Sequence, residues 1–189
     1  MKQIVIFASG SGSNAEKIIA FFNKSTVAKV SCVLSNTTDA KVIEIAKSNK
    51  IDTVLFNKTQ LDDGFVLAKL HQLAPDIIVL AGFLLKFPES IISEFQNKII
   101  NIHPSLLPKY GGHGMYGMHV HKAVFANNES SSGITIHFVD KNYDEGSIVF
   151  QKEVSIVDCL TPEQIAVKIL HLEHEHFAPQ ISFLLNDNK

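Results

Sequence analysis

The sequence predicts an α/β fold: a doubly wound, mostly parallel sheet with a C-terminal antiparallel hairpin and a long C-terminal helix. Three observations predict it. From residue 3 to residue 103, short β-branched runs alternate with stretches of helical period. The run Ile77-Ile78-Val79-Leu80 is apolar without a break, as expected of a parallel strand covered on both faces. After Ser131 the pattern becomes alternating: Ile134, Ile136 and Phe138 lie between Thr135, His137 and Val139, so a half-buried antiparallel strand is expected there.

The bulk composition fits that class. A chain of 189 residues holds one well-cored domain, 1–189, and 46% hydrophobic with 19% charged residues is an ordinary globular balance. A formal net charge of −2 gives no electrostatic reason to expect nucleic acid or an anionic membrane as partner. No apolar run approaches the ~20 residues of a membrane helix, and the start runs directly into a strand rather than through a signal peptide. Cys32 and Cys159 stand alone, without metal-binding spacing, which fits a reducing cytoplasm.

In chain order, residues 3–8 form the first strand. It ends at Ser9-Gly10-Ser11-Gly12-Ser13-Asn14, and a helix with Ile18, Ile19, Phe21 and Phe22 as apolar positions follows. Strand, glycine-rich turn and helix together present free backbone N–H groups suited to a monophosphate; the alternative is a tight strand-to-helix turn with no ligand. No Gly-Lys-Ser/Thr closes the turn as in a Walker loop, and Ala15 stands where a dinucleotide fingerprint would favour glycine. A second strand is expected over 27–34, a helix from Asp39 to Ala46 and a weaker strand over 53–56. Thr59 is placed to cap one helix running to about Leu73, ended by Pro75 and Asp76. Pro88 opens a short helix, and the next strand is 99–103.

That strand leads into Asn101-Ile102-His103-Pro104-Ser105-Leu106-Leu107-Pro108. Pro104 cannot donate to a ladder, so the strand stops near His103, and Asn101 and His103, two apart, project from its end on one face. An amide able to donate to a developing oxyanion, beside an imidazole, suits acyl transfer; the alternative is a satisfied core histidine. Ligands of such sheets bind beyond the carboxyl ends of the strands, where residues 10–14, 81–83 and 101–103 are expected to converge.

Residues 109–117 hold four glycines in nine positions and read as a loop able to close over a ligand. A helix over 118–125, the hairpin strands, and an acidic turn at 140–146 follow. Thr161-Pro162-Glu163-Gln164 is a capping box that starts the last helix, running towards Leu185. His171 and His174, three apart on it, lack the HExxH pattern or a cysteine neighbour and are read as a solvated polar face; no metal is expected. His119 and His121 are read as structural. Neither cysteine has the surroundings of a covalent nucleophile. Asp144 is either a plain turn aspartate or, if its turn folds over His103, a charge that raises the pKa of that imidazole.

The segments 9–14, 80–83, 101–110 and 114–117, with His137-Phe138, Asp144-Glu145-Gly146 and Glu173, occur in an order that resembles the glycinamide ribonucleotide formyltransferase family. The resemblance spans nearly the whole chain. It implies transfer of a formyl group from 10-formyltetrahydrofolate to the amine of glycinamide ribonucleotide, with no metal. It implies Asn101, His103 and Asp144 as the catalytic set, and Gly12, Ser13 and Asn14 on the ribonucleotide phosphate with Glu173 at the ribose. The folate would lie against Leu84, Leu85, Lys86 and Phe87, with Asn101, Asp140 and Lys141. Many relatives carry a basic residue where this chain has Leu85, with Lys86 one later, and His113 stands where close relatives often have lysine. The resemblance also implies a cis bond at Leu107-Pro108. The expected setting is the cytoplasm, with the chain a monomer or homodimer. The runner-up readings are a transfer-RNA formyltransferase or a formyltetrahydrofolate hydrolase, each implying an extra domain, and a non-catalytic nucleotide-binding module.

Overall fold

The structure is a computed structural model, described here for residues 1–187. Seven strands form one sheet: β1 (Lys2–Phe7), β2 (Ala28–Ser35), β3 (Asp52–Leu55), β4 (Ile77–Leu80), β5 (Ile99–His103), β6 (Ser131–Phe138) and β7 (Ile148–Ser155). Their order is β3-β2-β1-β4-β5-β6-β7. The first five are parallel, and β6 and β7 add an antiparallel hairpin beside β5. Winding proceeds outward from β1 through β2 to β3, then returns to β4 on its other side. A crevice is expected at that reversal, beyond the carboxyl ends of β1 and β4.

Period-two alternation along the strands divides the core into two layers. Ile4, Ile6, Val79, Ile100 and Ile102 face one layer, packed with the helices α1 (Ser13–Phe22), α2 (Lys41–Ser48), α6 (Met118–Ala126) and α7 (Pro162–Asp187). Val5, Phe7, Ile78, Leu80 and Ile99 face the other, packed with α3 (Lys58–Asp62), α4 (Phe65–Leu73) and α5 (Glu89–Glu94). Phe7 anchors the second layer by edge-on contacts with Phe56, Phe83 and Phe87, at centroid separations of 5.9, 5.4 and 5.0 Å.

Some boundaries differ from expectation for local reasons. The helix expected from Thr59 to Leu73 is two helices. Asn57 caps the first, its side chain accepting from the Gln60 N–H at 2.9 Å while Gln60 accepts from the Asn57 N–H at 3.0 Å. Gly64 then turns the chain at φ 95° into the second. The helix expected from Asp39 begins at Lys41, after Ala40, with no side-chain cap. At α7, Thr161 accepts from the Gln164 N–H as foreseen, but the Gln164 side chain reaches the Leu160 N–H instead of closing on Thr161. The Leu107-Pro108 bond is cis, as expected. No described helix is long and apolar enough to cross a membrane.

Gly146 ties the acidic turn to the sheet. A Cβ there would lie 1.8 Å from the Phe138 carbonyl oxygen, so only glycine lets the turn return this close to β6. Gly146→Ala is therefore expected to push the turn outward and cost roughly 1–3 kcal/mol, the usual range for forcing extra atoms into a packed site. Urea unfolding of the variant against wild type measures it; an unchanged midpoint would show that the turn has room to spare.

Candidate active site

A cleft of about 730 Å³ opens beyond the carboxyl ends of β1, β4 and β5. Its walls come from the α1 turn, residues 82–87, the strand end 101–104, the glycine-rich loop, the acidic turn and one side of α7.

At its centre is the Asp144 carboxylate. Oδ2 accepts from the Gly112 N–H at 2.9 Å and lies 3.6 Å from Nδ1 of His103. Oδ1 lies 3.6 Å from Nε2 of His137. Both imidazoles are buried. Asp144 sits at φ 57°, a left-handed conformation that a short polar side chain tolerates better than most. Gly111 is fitted closely beneath: a Cβ on it would lie 2.5 Å from the Leu107 side chain and 3.3 Å from Asp144 Cβ.

Ring partners assign the protons. His103 Nε2 lies 2.8 Å from the Tyr110 carbonyl, which can only accept, so Nε2 carries a proton and Nδ1, facing Asp144, is the atom that titrates. His137 Nδ1 donates to the Phe138 carbonyl at 2.9 Å, leaving Nε2 to accept from the Asn101 amide at 3.2 Å. One Asn101 N–H is thereby engaged, and the other remains for a ligand. Antiparallel register brings these groups together: Asn101 pairs with His137, and His103 with Thr135.

The electrostatics are set by burial. Burial pushes the His103 pKa down, and the Asp144 charge and the Tyr110 carbonyl offset this only in part, with His137 adding to the depression. The Asp144 charge does act upward on this pKa, as expected, but the net shift is downward because desolvation is larger. Burial also opposes ionisation of Asp144, yet the facing His137 and His103 rings, once they carry a second proton, and the Gly112 amide together hold it below the usual carboxylate range.

At the other end, Gly12 starts α1 at φ 72°, where a Cβ would lie 2.7 Å from Val42. The Glu16 N–H makes the first bond of the helix, to Gly12, so the N–H groups of Ser13, Asn14 and Ala15 precede the ladder. The Asn14 amide donates to Glu173 at 2.6 Å across the base of the cleft, and its Oδ1 is buried with no partner. Burial raises the Glu173 pKa, with the Asn14 hydrogen bond opposing.

Most residues singled out from the sequence border the cleft: Asn101, His103, Asp144, Ser13, Asn14, Glu173, Leu84, Leu85, Lys86, Phe87 and Asp140. Gly12 shapes the turn from beneath. Lys141 is exposed and outside the lining. Phe87 is buried against Phe7 and forms the rear wall. Lys86 places its ammonium 5.5 Å from the ring of Tyr143, whose edge also meets His113 at 5.8 Å, so three loops converge on one aromatic ring at the mouth. Cys32 is buried, and burial with the nearby Asp52 charge pushes its thiol up to about 11, which removes it as a nucleophile.

His171 is exposed, but the expectation of a solvated polar face fails for His174: its Nε2 is sealed from solvent with no partner. Sequence reasoning also passed over His137 as a site residue. The available signal was a polar ring on the face of β6 shared with Thr135, between Ile134 and Ile136, which face the core.

A family model described as formyl transferase matches residues 2–181. The chain is 33% identical to phosphoribosylglycinamide formyltransferase of Bacillus subtilis (strain 168), covering all of this chain and 97% of that protein. It is 36% identical to the chloroplastic phosphoribosylglycinamide formyltransferases of Arabidopsis thaliana and Vigna unguiculata, and spans only 66% and 62% of their lengths. Among solved structures, phosphoribosylglycinamide formyltransferase from Anaplasma phagocytophilum superposes with a TM-score of 0.90 at 31% identity, covering 98% of this chain and 88% of that one. The protein of that name from Bacillus halodurans gives 0.89 at 31% identity, covering 100% and 97%.

The buried imidazoles make stability depend on pH in a definite direction. The pKa values of His103 and His121 lie below 6.5 in the folded protein, that of His121 at about 4. The unfolded chain therefore binds more protons between about pH 4 and 6.5, and stability falls as pH is lowered through that window. Glu173, raised by burial, acts in the opposite sense, favouring the folded state at the acid end of the carboxylate range. Denaturant titrations stepped from pH 7.5 to 4.5 should show a steady loss; stability rising on acidification would contradict neutral burial of these rings.

Proposed function

The chain belongs to the formyl transferase family, and on that premise we propose that it transfers the formyl group of 10-formyltetrahydrofolate to the primary amine of glycinamide ribonucleotide. The observation that supports the proposal is that Asn101, His103 and Asp144 share one cleft with the open start of α1 on one side and apolar residues on the other.

The ribonucleotide phosphate takes the free N–H groups after Gly12, where backbone donors and the helix dipole favour an anion. Its ribose hydroxyls meet Glu173, a buried acceptor. The folate enters from the other side, against Leu84, Leu85, Phe87 and Asp140, with Lys86 and Tyr143 at the mouth. The amine then points at the formyl carbon beside Asn101 and His103.

Attack forms a carbon–nitrogen bond and moves the carbonyl electron pair onto oxygen. The free Asn101 N–H donates to that oxyanion. The attacking amine sheds a proton, His103 Nδ1 is placed to accept and return it, and the departing folate nitrogen receives it as its bond to the formyl carbon breaks. No net proton is consumed. Asp144 stabilises the imidazolium that exists between these transfers; Tyr110 and His137 orient the two ends of the relay. Holding both reactants in line supplies further rate by orientation. A single domain in the cytoplasm, as monomer or homodimer, is part of the same reading and is consistent with two free cysteines.

Two measurements test it. An oxyanion such as sulfate or phosphate soaked into crystals should bind the backbone of residues 12–14; a turn that stays closed to anions would remove the substrate assignment. Asp144→Asn should lower kcat by roughly 10²–10⁴-fold with little change in either KM, since the charge matters most in the transition state. His103→Asn should be comparably damaged and the double variant little worse, because the pair acts as a unit. A near-normal rate for Asp144→Asn would leave Asp144 as a turn residue only.

A further inference from the structure

Three of the imidazoles that line the cleft, His103, His121 and His137, are buried, and they differ in how their nitrogens are used. Both nitrogens of His103 and both of His137 face a partner. His121, on α6, is 6% exposed, and its Nδ1 is sealed without a hydrogen-bond partner. A buried polar atom left unpaired costs about 1–3 kcal/mol, so a fold tolerates one where the ring has another use.

The orphaned nitrogen also assigns the tautomer. A proton on Nδ1 would be a buried donor with nothing to receive it. The proton therefore sits on Nε2, the nitrogen left with access to the cleft that His121 lines. Burial, helped by the nearby charge of His103, keeps the ring neutral, so it offers a donor without a charge.

Position narrows the acceptor. His121 shares its side of the cleft with Ser13, Asn14, Ile169 and Glu173, the helix layer of α1, α6 and α7, and not with the apolar wall at 84–87. On the proposed ribonucleotide, the phosphate takes the α1 turn and the hydroxyls take the Glu173 carboxylate. The remaining acceptor next to the attacking amine is the glycyl amide carbonyl, a neutral oxygen suited to a neutral donor. We infer that His121 is a further substrate-binding residue, donating from Nε2 to the carbonyl oxygen of the glycyl group and so aiming the amine at the formyl carbon; the inference rests on the function proposed above.

Two kinds of readout test it. In kinetics, His121→Leu should raise the KM for glycinamide ribonucleotide roughly tenfold to a hundredfold and leave the KM for 10-formyltetrahydrofolate unchanged, as expected for loss of one substrate hydrogen bond. His121→Gln, whose amide nitrogen can take the place of Nε2, should recover most of that loss. In the wild-type protein, ¹⁵N NMR of the His121 ring should show a neutral Nε2–H tautomer from pH 6 to 8, with an Nε2 resonance that moves on adding ribonucleotide without folate. A folded Leu variant with both KM values unchanged, a Leu defect that Gln does not relieve, or an Nδ1–H tautomer overturns the role. If the Leu variant fails to fold, the wild-type tautomer and its response to ribonucleotide decide. Wild type that cannot formylate the ribonucleotide sinks the functional reading itself; an active wild type that fails these tests sinks only His121.

Discussion

A single carboxylate holds the two chemical faces of this cleft in register. Asp144 meets the backbone of the glycine-rich loop through Gly112 and faces one imidazole from β5 and one from β6. Each is an approach that would be costly alone: a mostly buried anion, two rings held largely dry, and a backbone in a left-handed conformation. Placed together they compensate one another. The anion gains the Gly112 donor and two rings that oppose its charge whenever they take up a second proton, and the rings gain a fixed orientation.

The same arrangement explains why His103 is depressed while still poised to work. Burial favours the neutral ring, so Nδ1 has an open lone pair in the free protein. A proton arriving there meets Asp144 at once and forms an ion pair in a medium of low effective dielectric, where it is worth more than in water. The Tyr110 carbonyl leaves no second route, because Nε2 is already committed as a donor. A group that starts neutral and becomes strongly stabilised when charged is suited to carry a proton only while the reaction is under way.

The cleft is also asymmetric in its chemistry, and the layers of the core impose this. The layer of α1, α6 and α7 brings a helix start, a buried glutamate and a neutral imidazole to one side. The opposite side is built from Phe87 and the phenylalanine cluster around Phe7, continuing the core outward as an apolar wall. A polar reactant and a flat apolar one are thereby sorted before any specific contact forms.

What the sequence by itself determined is what local chemistry can dictate. Unbroken apolar runs became the central strands, Ile134 and Ile136 marked the core-facing side of β6, the glycine-rich turn opened α1, and Pro104 ended β5 so that Asn101 and His103 emerge on one face. Local rivalry accounts for some of the misses: Asn57 with Gln60 outcompeted Thr59 as a cap, and Gly64 divided the helix that follows. Only the tertiary structure decided the rest. Pairing of Asn101 with His137, a bond across 159 positions from Asn14 to Glu173, and the fold of the acidic turn onto His103 all join residues whose spacing carries no periodic signal. The direction of the His103 shift was hidden for the same reason. A charge beside an imidazole can be foreseen from a motif, but desolvation depends on everything packed around the ring, and here it is the larger effect.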